Sequence, residues 1–339
     1  MYKLKLCVWE LTLACCFSCK YCGSNGGKAR DGELSTEECL QIADQLAALG
    51  CERAALIGGE VFTREDWAAI AKRLVSQGVR TSIITNGYQM SDSILEEIVR
   101  CGIESVAVSL DGLEALHDRF RQPGSFKRAV SAITALSRAG IPVSVISTLN
   151  AVTAKGIREF YAFLKHLPIF AWQIQACSPM GKAVDMAVNY RFDFQQVLRF
   201  VGETAPDAPF GMGVADNIGY YTKDEGSIRG NLSGRAVFCG CSAGITSIGI
   251  DSLGNVRGCE SQYDDRFIEG NLRSVRLAEI WNDPSAFTYN RRFSDDLLTG
   301  KCEDCVHRRA CKAGCRSYNF FVHQKLYESP FCPCTDTAT

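Results

Sequence analysis

The chain has 339 residues, a net charge of −1 and 18 cysteines. That length supports one large domain or two smaller ones around a substantial core. No Lys/Arg cluster gives a nucleic-acid or anionic-membrane partner electrostatic support, and no apolar run approaches membrane-spanning length.

Met1-Tyr2-Lys3-Leu4 leads straight into an apolar run without a signal peptide, which points to the cytoplasm, where thiols stay reduced. The cysteines therefore read first as ligands rather than disulfides. They cluster at 15–22, 239–259 and 302–334. Cys7, Cys39, Cys51 and Cys101 lie singly and read as small core residues.

From Leu4 to about Gln175, apolar strand-like runs alternate with helical patterns. The strands are expected over 5–13, 53–57, 80–85, 105–110, 142–149 and 171–175, and helices over 36–49, 64–76, 92–100, 126–138 and 154–167. Ser35 with Glu38 and Thr63 with Asp66 are placed as capping pairs, and Gly50, Gly78, Gly102 and Gly140 each follow a helical stretch. Such alternation implies parallel βα units with right-handed crossovers. The expected fold is α/β, a partial (β/α)6 TIM-like barrel over 1–183 that binds ligands at the carboxyl ends of its strands. Residues 184–238 read as a connecting hinge, with a helix over 192–203 and a turn-rich stretch over 206–213. A small cysteine-rich domain follows over 239–339, where 268–272 and 277–281 read as a turn and a helix.

Just after the first strand comes Cys15-Cys16-Phe17-Ser18-Cys19-Lys20-Tyr21-Cys22. Thiolates of Cys15, Cys19 and Cys22 on one tight loop can hold three irons of a cubane 4Fe–4S cluster, leaving one iron open to a small molecule. A zinc site or buried thiols are the alternatives, but structural zinc usually takes paired cysteines with two further ligands. The spacing, with Tyr21 before the last cysteine, resembles the cluster loop of radical S-adenosylmethionine enzymes. The resemblance implies that the open iron chelates S-adenosylmethionine, which is then cleaved to methionine and a 5′-deoxyadenosyl radical.

Other strand ends extend the resemblance. Gly58-Gly59-Glu60 is similar to the family's Gly-Gly-Glu-Pro motif, with Val61 in place of proline, and implies contacts to the amino group of S-adenosylmethionine. Thr85-Asn86-Gly87 reads as a turn. In the fourth strand, Ser105, Ala107, Ser109 and Asp111 share one face and Val106, Val108 and Leu110 the other. His117-Asp118-Arg119-Phe120-Arg121 resembles the family's His-Asp-x-x-Arg segment; it implies that Ser109 and Asp111 serve the nucleoside side and Arg121 the methionine carboxylate. A solvated helix face is the other reading of Asp118 and Arg121. In the sixth strand Gln173, Gln175 and Cys177 share a face, which puts Gln175 in the lumen as a cofactor contact and aims the Cys177 thiol at the rim. An inert buried cysteine is the alternative there.

The C-terminal cysteines run Cys239, Cys241, then Gly254-Asn255-Val256-Arg257-Gly258-Cys259, then Cys302-x2-Cys305-x5-Cys311-x3-Cys315, and finally Cys332 and Cys334. A zinc ribbon would cover 302–315 but not 239–259. The order resembles the SPASM extension of peptide-modifying radical enzymes. That resemblance implies two auxiliary 4Fe–4S clusters, one on Cys241, Cys259 and Cys315, the other on Cys302, Cys305, Cys311 and Cys332. Cys239 is then either the fourth ligand of the first cluster or free, leaving an open iron. Glu260, next to Cys259, could accept a substrate proton as general base, or be an ordinary surface carboxylate.

The expected function is radical modification of a ribosomally made peptide or protein, by cross-linking, oxidation or epimerisation. S-adenosylmethionine and three 4Fe–4S clusters are the implied cofactors, and a flavodoxin- or ferredoxin-like protein the electron donor. The chain starts almost at its first strand, so a leader peptide is expected to need a separate binding protein or the barrel mouth. A small-molecule radical dehydrogenase is the alternative within enzymes; a cluster-bearing electron carrier is the alternative outside them. A carrier has no use for Gly58–Glu60 or Ser109–Arg121.

Overall fold

A computed structural model of the chain describes residues 2–184, 190–233 and 237–334. The expected segments 184–238 and 239–339 are thus described without 185–189, 234–236 and 335–339.

The first half alternates as its apolar pattern dictates: β1 (Leu6–Glu10), α1 (Thr36–Ala48), β2 (Arg53–Ile57), α2 (Trp67–Ser76), β3 (Arg80–Thr85), α3 (Asp92–Cys101), β4 (Ser105–Ser109), α4 (Glu114–Phe120), α5 (Ser125–Arg138), β5 (Val143–Leu149), α6 (Ile157–Leu164) and β6 (Ala171–Ala176). These six strands pair in parallel with their sequence neighbours. Val106, Val108 and Leu110 are buried on the outer side of β4, and Trp172 packs on the rings of Phe160 and Tyr161 from α6. The opposite faces of the same strands turn inward, so polar residues collect at the rim where the strands end.

Local signals explain the boundaries. Ser35 and Glu38 form a reciprocal capping box at α1. Gly102 ends α3 with φ 71°, a left-handed turn that a side chain would strain. Thr63 and Asp66 do not cap α2, which begins at Trp67 rather than at 64. The Thr63 hydroxyl instead donates to the Glu60 and Ala14 carbonyl oxygens at 2.6 and 3.1 Å, and Asp66 is held by Arg64 and Thr36.

Segment 184–238, expected as a connecting hinge, carries regular elements of its own among the described residues. It supplies α7 (Phe194–Thr204), β7 (Gly211–Val214) and α8 (Glu225–Ser233), and β7 pairs in parallel with β6. The glycines of Gly211-Met212-Gly213-Val214 depress strand propensity, which hid this strand in a turn-rich stretch. At the other edge β8 (Ser247–Ile250) pairs in parallel with β1, and β9 (Asn255–Arg257) and β10 (Gly270–Asn271) follow antiparallel. Among the described residues one ten-stranded sheet results, in the order β10-β9-β8-β1-β2-β3-β4-β5-β6-β7. The cysteine-rich segment is therefore bonded to the barrel edge through β8. It ends in α9 (Leu277–Asn282), α10 (Thr288–Arg291), α11 (Arg308–Cys311) and α12 (Arg316–His323). No helix of the described residues is long and apolar enough to cross a membrane.

Candidate active site

The loop after β1 is closed by its own backbone: Cys15 N–H donates to Gly27 O at 2.9 Å and Gly27 N–H to Leu13 O at 3.0 Å. Gly59 N–H donates to Thr12 O and Glu60 N–H to Ala14 O, both at 2.8 Å, which presses the end of β2 onto this loop. A Cβ at Gly59 would overlap the Leu13 and Ala14 carbonyl oxygens, so the contact requires glycine. Lys182 clamps the other side, its Nζ 2.8 Å from Gly26 O and 3.2 Å from Ser18 Oγ.

Cys15, Cys19 and Cys22 line one wall of a cavity of about 530 Å³, a size typical of cofactor sites. Backbone N–H groups point at two of the sulfurs, Gly26 to Cys22 Sγ at 3.1 Å and Phe17 to Cys15 Sγ at 3.4 Å, and such donors favour thiolates. Burial pushes the Cys19 thiol up, opposed by the Arg121 and Lys182 charges. Among the described residues no three His, Cys, Asp or Glu side chains converge on one metal ion. A cubane's thiolates each bind a different iron, so an open triplet around a cavity suits a cluster better than a single ion.

Gly58, Gly59, Ser109, Arg121 and Gln175 line the same cavity, as does Cys177. Glu60 and Asp111 stand behind its wall. Glu60, expected to face an ammonium group, is 1% exposed and accepts from Thr85 Oγ1 and Asn86 N–H, each at 2.8 Å. Burial raises its pKa to about 7 against those hydrogen bonds. Asp111 accepts from Thr148 N–H at 2.8 Å and, more closely, from the Tyr21 hydroxyl and Arg121 Nε. Burial raises the Asp111 pKa, but the Arg121 charge and the hydrogen bonds outweigh it and hold the carboxyl below the usual range. His117 completes the group: fully buried, its Nδ1 accepts from Asp111 N–H at 3.2 Å. Asp118 does not face the cavity; it caps the turn into α5 through Gly124, Ser125 and Phe126.

Gln175 Nε2 donates to Thr148 Oγ1 at 2.9 Å, linking the ends of β5 and β6. Cys177 is 2% exposed, and burial pushes its thiol up to about 12. Cys177 lies one residue beyond the end of β6, where Ala176, Cys177 and Ser178 all line the cavity, so strict alternation does not extend to it.

The C-terminal cysteines fall into sets. Burial pushes Cys259 well up, reinforced by Glu260, Cys315 and Cys241, which places these groups together. Cys302, Cys305, Cys311, Cys332 and Cys334 line a second cavity of about 470 Å³. Cys239 is exposed, its thiol 3.5 Å from Val237 O. The carboxylate of Glu260 lies 3.2 Å from Cys259 Sγ and accepts from Ser261 Oγ at 3.1 Å. Glu260 and Ser261 also line the first cavity, so one wall of that cavity comes from the cysteine-rich segment.

Three residues escaped the sequence reading. Asn217, which grips Ala176 N–H and O at 3.2 and 2.8 Å beside Cys177, follows the strand that the glycines concealed. Thr148 falls in an expected strand, and its alternation with the buried Leu149 turns it to the lumen face. Lys182 is an isolated lysine in a loop and carried no signal.

Residues 9–164 match the model of the radical SAM superfamily, and residues 239–306 that of the SPASM iron–sulfur cluster-binding domain. An AdoMet-dependent heme synthase of Methanosarcina barkeri is 29% identical over 341 residues, covering 97% of this chain and 96% of its own. The mycofactocin maturase MftC of Mycobacterium ulcerans is 28% identical over 317 residues, covering 93% and 83%. SuiB of Streptococcus suis, solved with its precursor peptide SuiA, superposes with a TM-score of 0.77 at 16% identity, covering 99% of this chain and 76% of its own. The anSMEcpe structure with AdoMet and a Cp18Cys peptide gives 0.71 at 17% identity, covering 96% and 92%. At such identities the structural likeness is one of fold.

Proposed function

Because the chain belongs to the radical SAM superfamily and carries a C-terminal iron–sulfur cluster-binding domain, we propose that it modifies an unactivated carbon of a ribosomally made peptide or protein. The observation that carries this reading is the shared cavity, walled at one end by Cys15, Cys19 and Cys22 and at another by Glu260 and Ser261 beside Cys259. A carbon held there lies between the radical-generating loop and the first auxiliary cysteine set. When bound, S-adenosylmethionine and a cluster on Cys15, Cys19 and Cys22 supply a 5′-deoxyadenosyl radical. The C-terminal sets would hold two further clusters, on Cys241, Cys259 and Cys315, and on Cys302, Cys305, Cys311 and Cys332. Cys334 lines that second set's cavity, and the exposed Cys239 is either the fourth ligand of the first cluster or free.

The chain's own groups bind and orient. Gly58 and Gly59 let a ligand approach the backbone at the end of β2. Glu60 acts from behind by fixing the Thr85–Asn86 turn. Ser109 offers a hydroxyl to a nucleoside, Gln175 an amide, and Arg121 a cation to a carboxylate, steadied by Asp111. Glu260 is placed to take a proton from substrate. An electron donor of the flavodoxin or ferredoxin kind is the partner this chemistry calls for. The peptide substrate is supported by the maturase relative and by the peptide-bound fold neighbours.

A second reading, a small tetrapyrrole substrate, is favoured by the heme synthase relative, whose length this chain matches almost end to end. The test is anaerobic reconstitution with dithionite and S-adenosylmethionine. Release of 5′-deoxyadenosine is expected, and its absence overturns the radical chemistry. Mass change in a candidate precursor peptide, against mass change in a porphyrin, then separates the two substrates.

A further inference from the structure

Arg316 opens α12, directly after Cys315, and its side chain is fully buried. Nη1 donates to Lys312 O and, at 3.2 Å, to Leu326 O; Nε reaches Tyr289 O at 3.4 Å; Nη2 is buried with no partner. All of these acceptors are neutral carbonyls. The other buried arginines each have a carboxylate: Arg229 bonds Glu225 at 2.9 Å and Arg257 bonds Asp251 at 2.7 Å. Among the described residues Arg316 has none.

A buried charge without a counter-ion costs several kcal/mol, and arginine does not shed its proton to escape that cost. Some negative charge should therefore stand near it. Cysteines are among the groups near Arg316 that can carry one, Cys302 included. Cys315 precedes it, and its Nη1 holds carbonyls of the Cys311–Cys315 loop. The rings of Tyr327 and Phe293 lie 4.6 and 5.6 Å from its central carbon, and both pack on the buried cluster that contains Cys302.

We propose that Arg316 is the counter-charge of the iron–sulfur clusters held by the C-terminal cysteines and that it raises their reduction potential. The inference rests on the cluster assignment in the proposed function. Reduction adds one negative charge to a cluster, so a fixed cation beside it favours the reduced form, more strongly at the low dielectric of a buried site. The carbonyl bonds fix where that cation sits, and the aromatic faces keep it dry. An auxiliary site poised in this way accepts an electron more readily, which an oxidative modification requires.

The test is a redox titration followed by EPR on reconstituted full-length protein, in a background with Cys15, Cys19 and Cys22 replaced by Ala so that only auxiliary signals remain. Iron is counted in parallel. In Arg316→Met the ratio of reduced to oxidised cluster at the parent midpoint should fall about tenfold, which is ~59 mV for a one-electron couple. Arg316→Lys should stay within about twofold of the parent. Loss of auxiliary iron in Arg316→Met alone, with Arg316→Lys intact, also supports the inference, since the charge is then needed to hold the clusters. An unchanged potential in Arg316→Met at full iron content overturns it. Equal iron loss in both variants overturns it too, and makes Arg316 a packing residue. A parent protein that binds no auxiliary iron removes the cluster assignment itself, and this inference with it.

Discussion

The phenolic hydroxyl of Tyr21, on the cysteine loop, donates to the buried carboxylate of Asp111 at the end of β4. Arg121 and the Thr148 N–H use the same carboxylate, so one side chain ties together the cysteine loop, two strand ends and the segment after α4. Its position behind the cavity wall means that it acts on a ligand through Tyr21 and Arg121.

Asp111→Asn should therefore damage stability as well as ligand binding. It leaves the Arg121 guanidinium buried without its counter-ion, a loss on the order of 3–5 kcal/mol. The urea midpoint of the protein under anaerobic conditions reads this directly; a midpoint like that of the parent would contradict the hub role. The native carboxyl is held below the usual range, so this contribution is present above the unfolded carboxylate pKa and is lost as pH falls through the lower native value.

His117 gives a separate pH dependence. Burial, with the nearby Arg121 charge, lowers its pKa from 6.5 to about 4, against the pull of Asp111. The folded state thus binds a proton less readily than the unfolded chain. The contribution of His117 to stability is full above pH 6.5 and declines as pH falls from 6.5 towards 4, by about 3 kcal/mol over the whole interval. Between pH 7 and 5 the parent's urea midpoint should fall relative to that of His117→Gln, because the opposite drift from Glu60, whose raised pKa stabilises the fold as pH falls below 7, is common to both. Parallel slopes would show that His117 is not the group responsible.

Much of this site was legible because its chemistry sits at strand ends, where alternation and turn residues mark position. The cysteine spacing, Gly58-Gly59, Ser109, Gln173, Gln175 and Cys177 all fall on the cavity. Whether a residue faces the cavity or stands behind it was not legible. Glu60 and Asp111 carry the right charge in the right place, yet their orientation is set by Thr85, Asn86, Tyr21 and Thr148, distant in sequence. Nor could periodicity show β8 joining β1 or the short, glycine-weakened β7, since pairing between remote short strands leaves no local pattern.

Replacing Cys15, Cys19 or Cys22 by Ala should abolish cleavage of S-adenosylmethionine, because each is one of three thiols at that wall. Iron should fall by about one cluster out of about three, with the C-terminal sets retained. Full release of 5′-deoxyadenosine by any of these variants would sink the assignment.

For Glu260→Gln the expectation is a split between two readouts. Its carboxylate contacts Cys259 and Ser261 and the residue lines the cavity, but it is remote in sequence from the cysteine loop after β1. Release of 5′-deoxyadenosine should persist while modified product falls by ~10²–10⁴-fold, the usual contribution of a general base. Full turnover would make Glu260 structural.

Cys177 bears on which modification is made. Cys177 lines the cavity along with Gln173 and Gln175, and burial keeps its thiol protonated at neutral pH. It therefore has an S–H hydrogen to give, whereas a thiolate would not. Transfer of that hydrogen atom to a substrate carbon radical, from the face opposite to abstraction, would form a C–H bond, invert the centre and leave a sulfur radical. One electron and one proton from the reductant and solvent would restore the thiol. Asn217 grips the preceding residue through both its N–H and its carbonyl, which limits where the thiol can swing. In deuterated water the parent should place deuterium from the exchanged thiol at the inverted carbon. Cys177→Ala should still release 5′-deoxyadenosine yet lose the deuterated product and accumulate species in which the carbon radical is quenched otherwise. Unchanged product at full turnover in Cys177→Ala would instead leave the cysteine a buried packing residue, and would turn the choice among modifications towards oxidation or cross-linking.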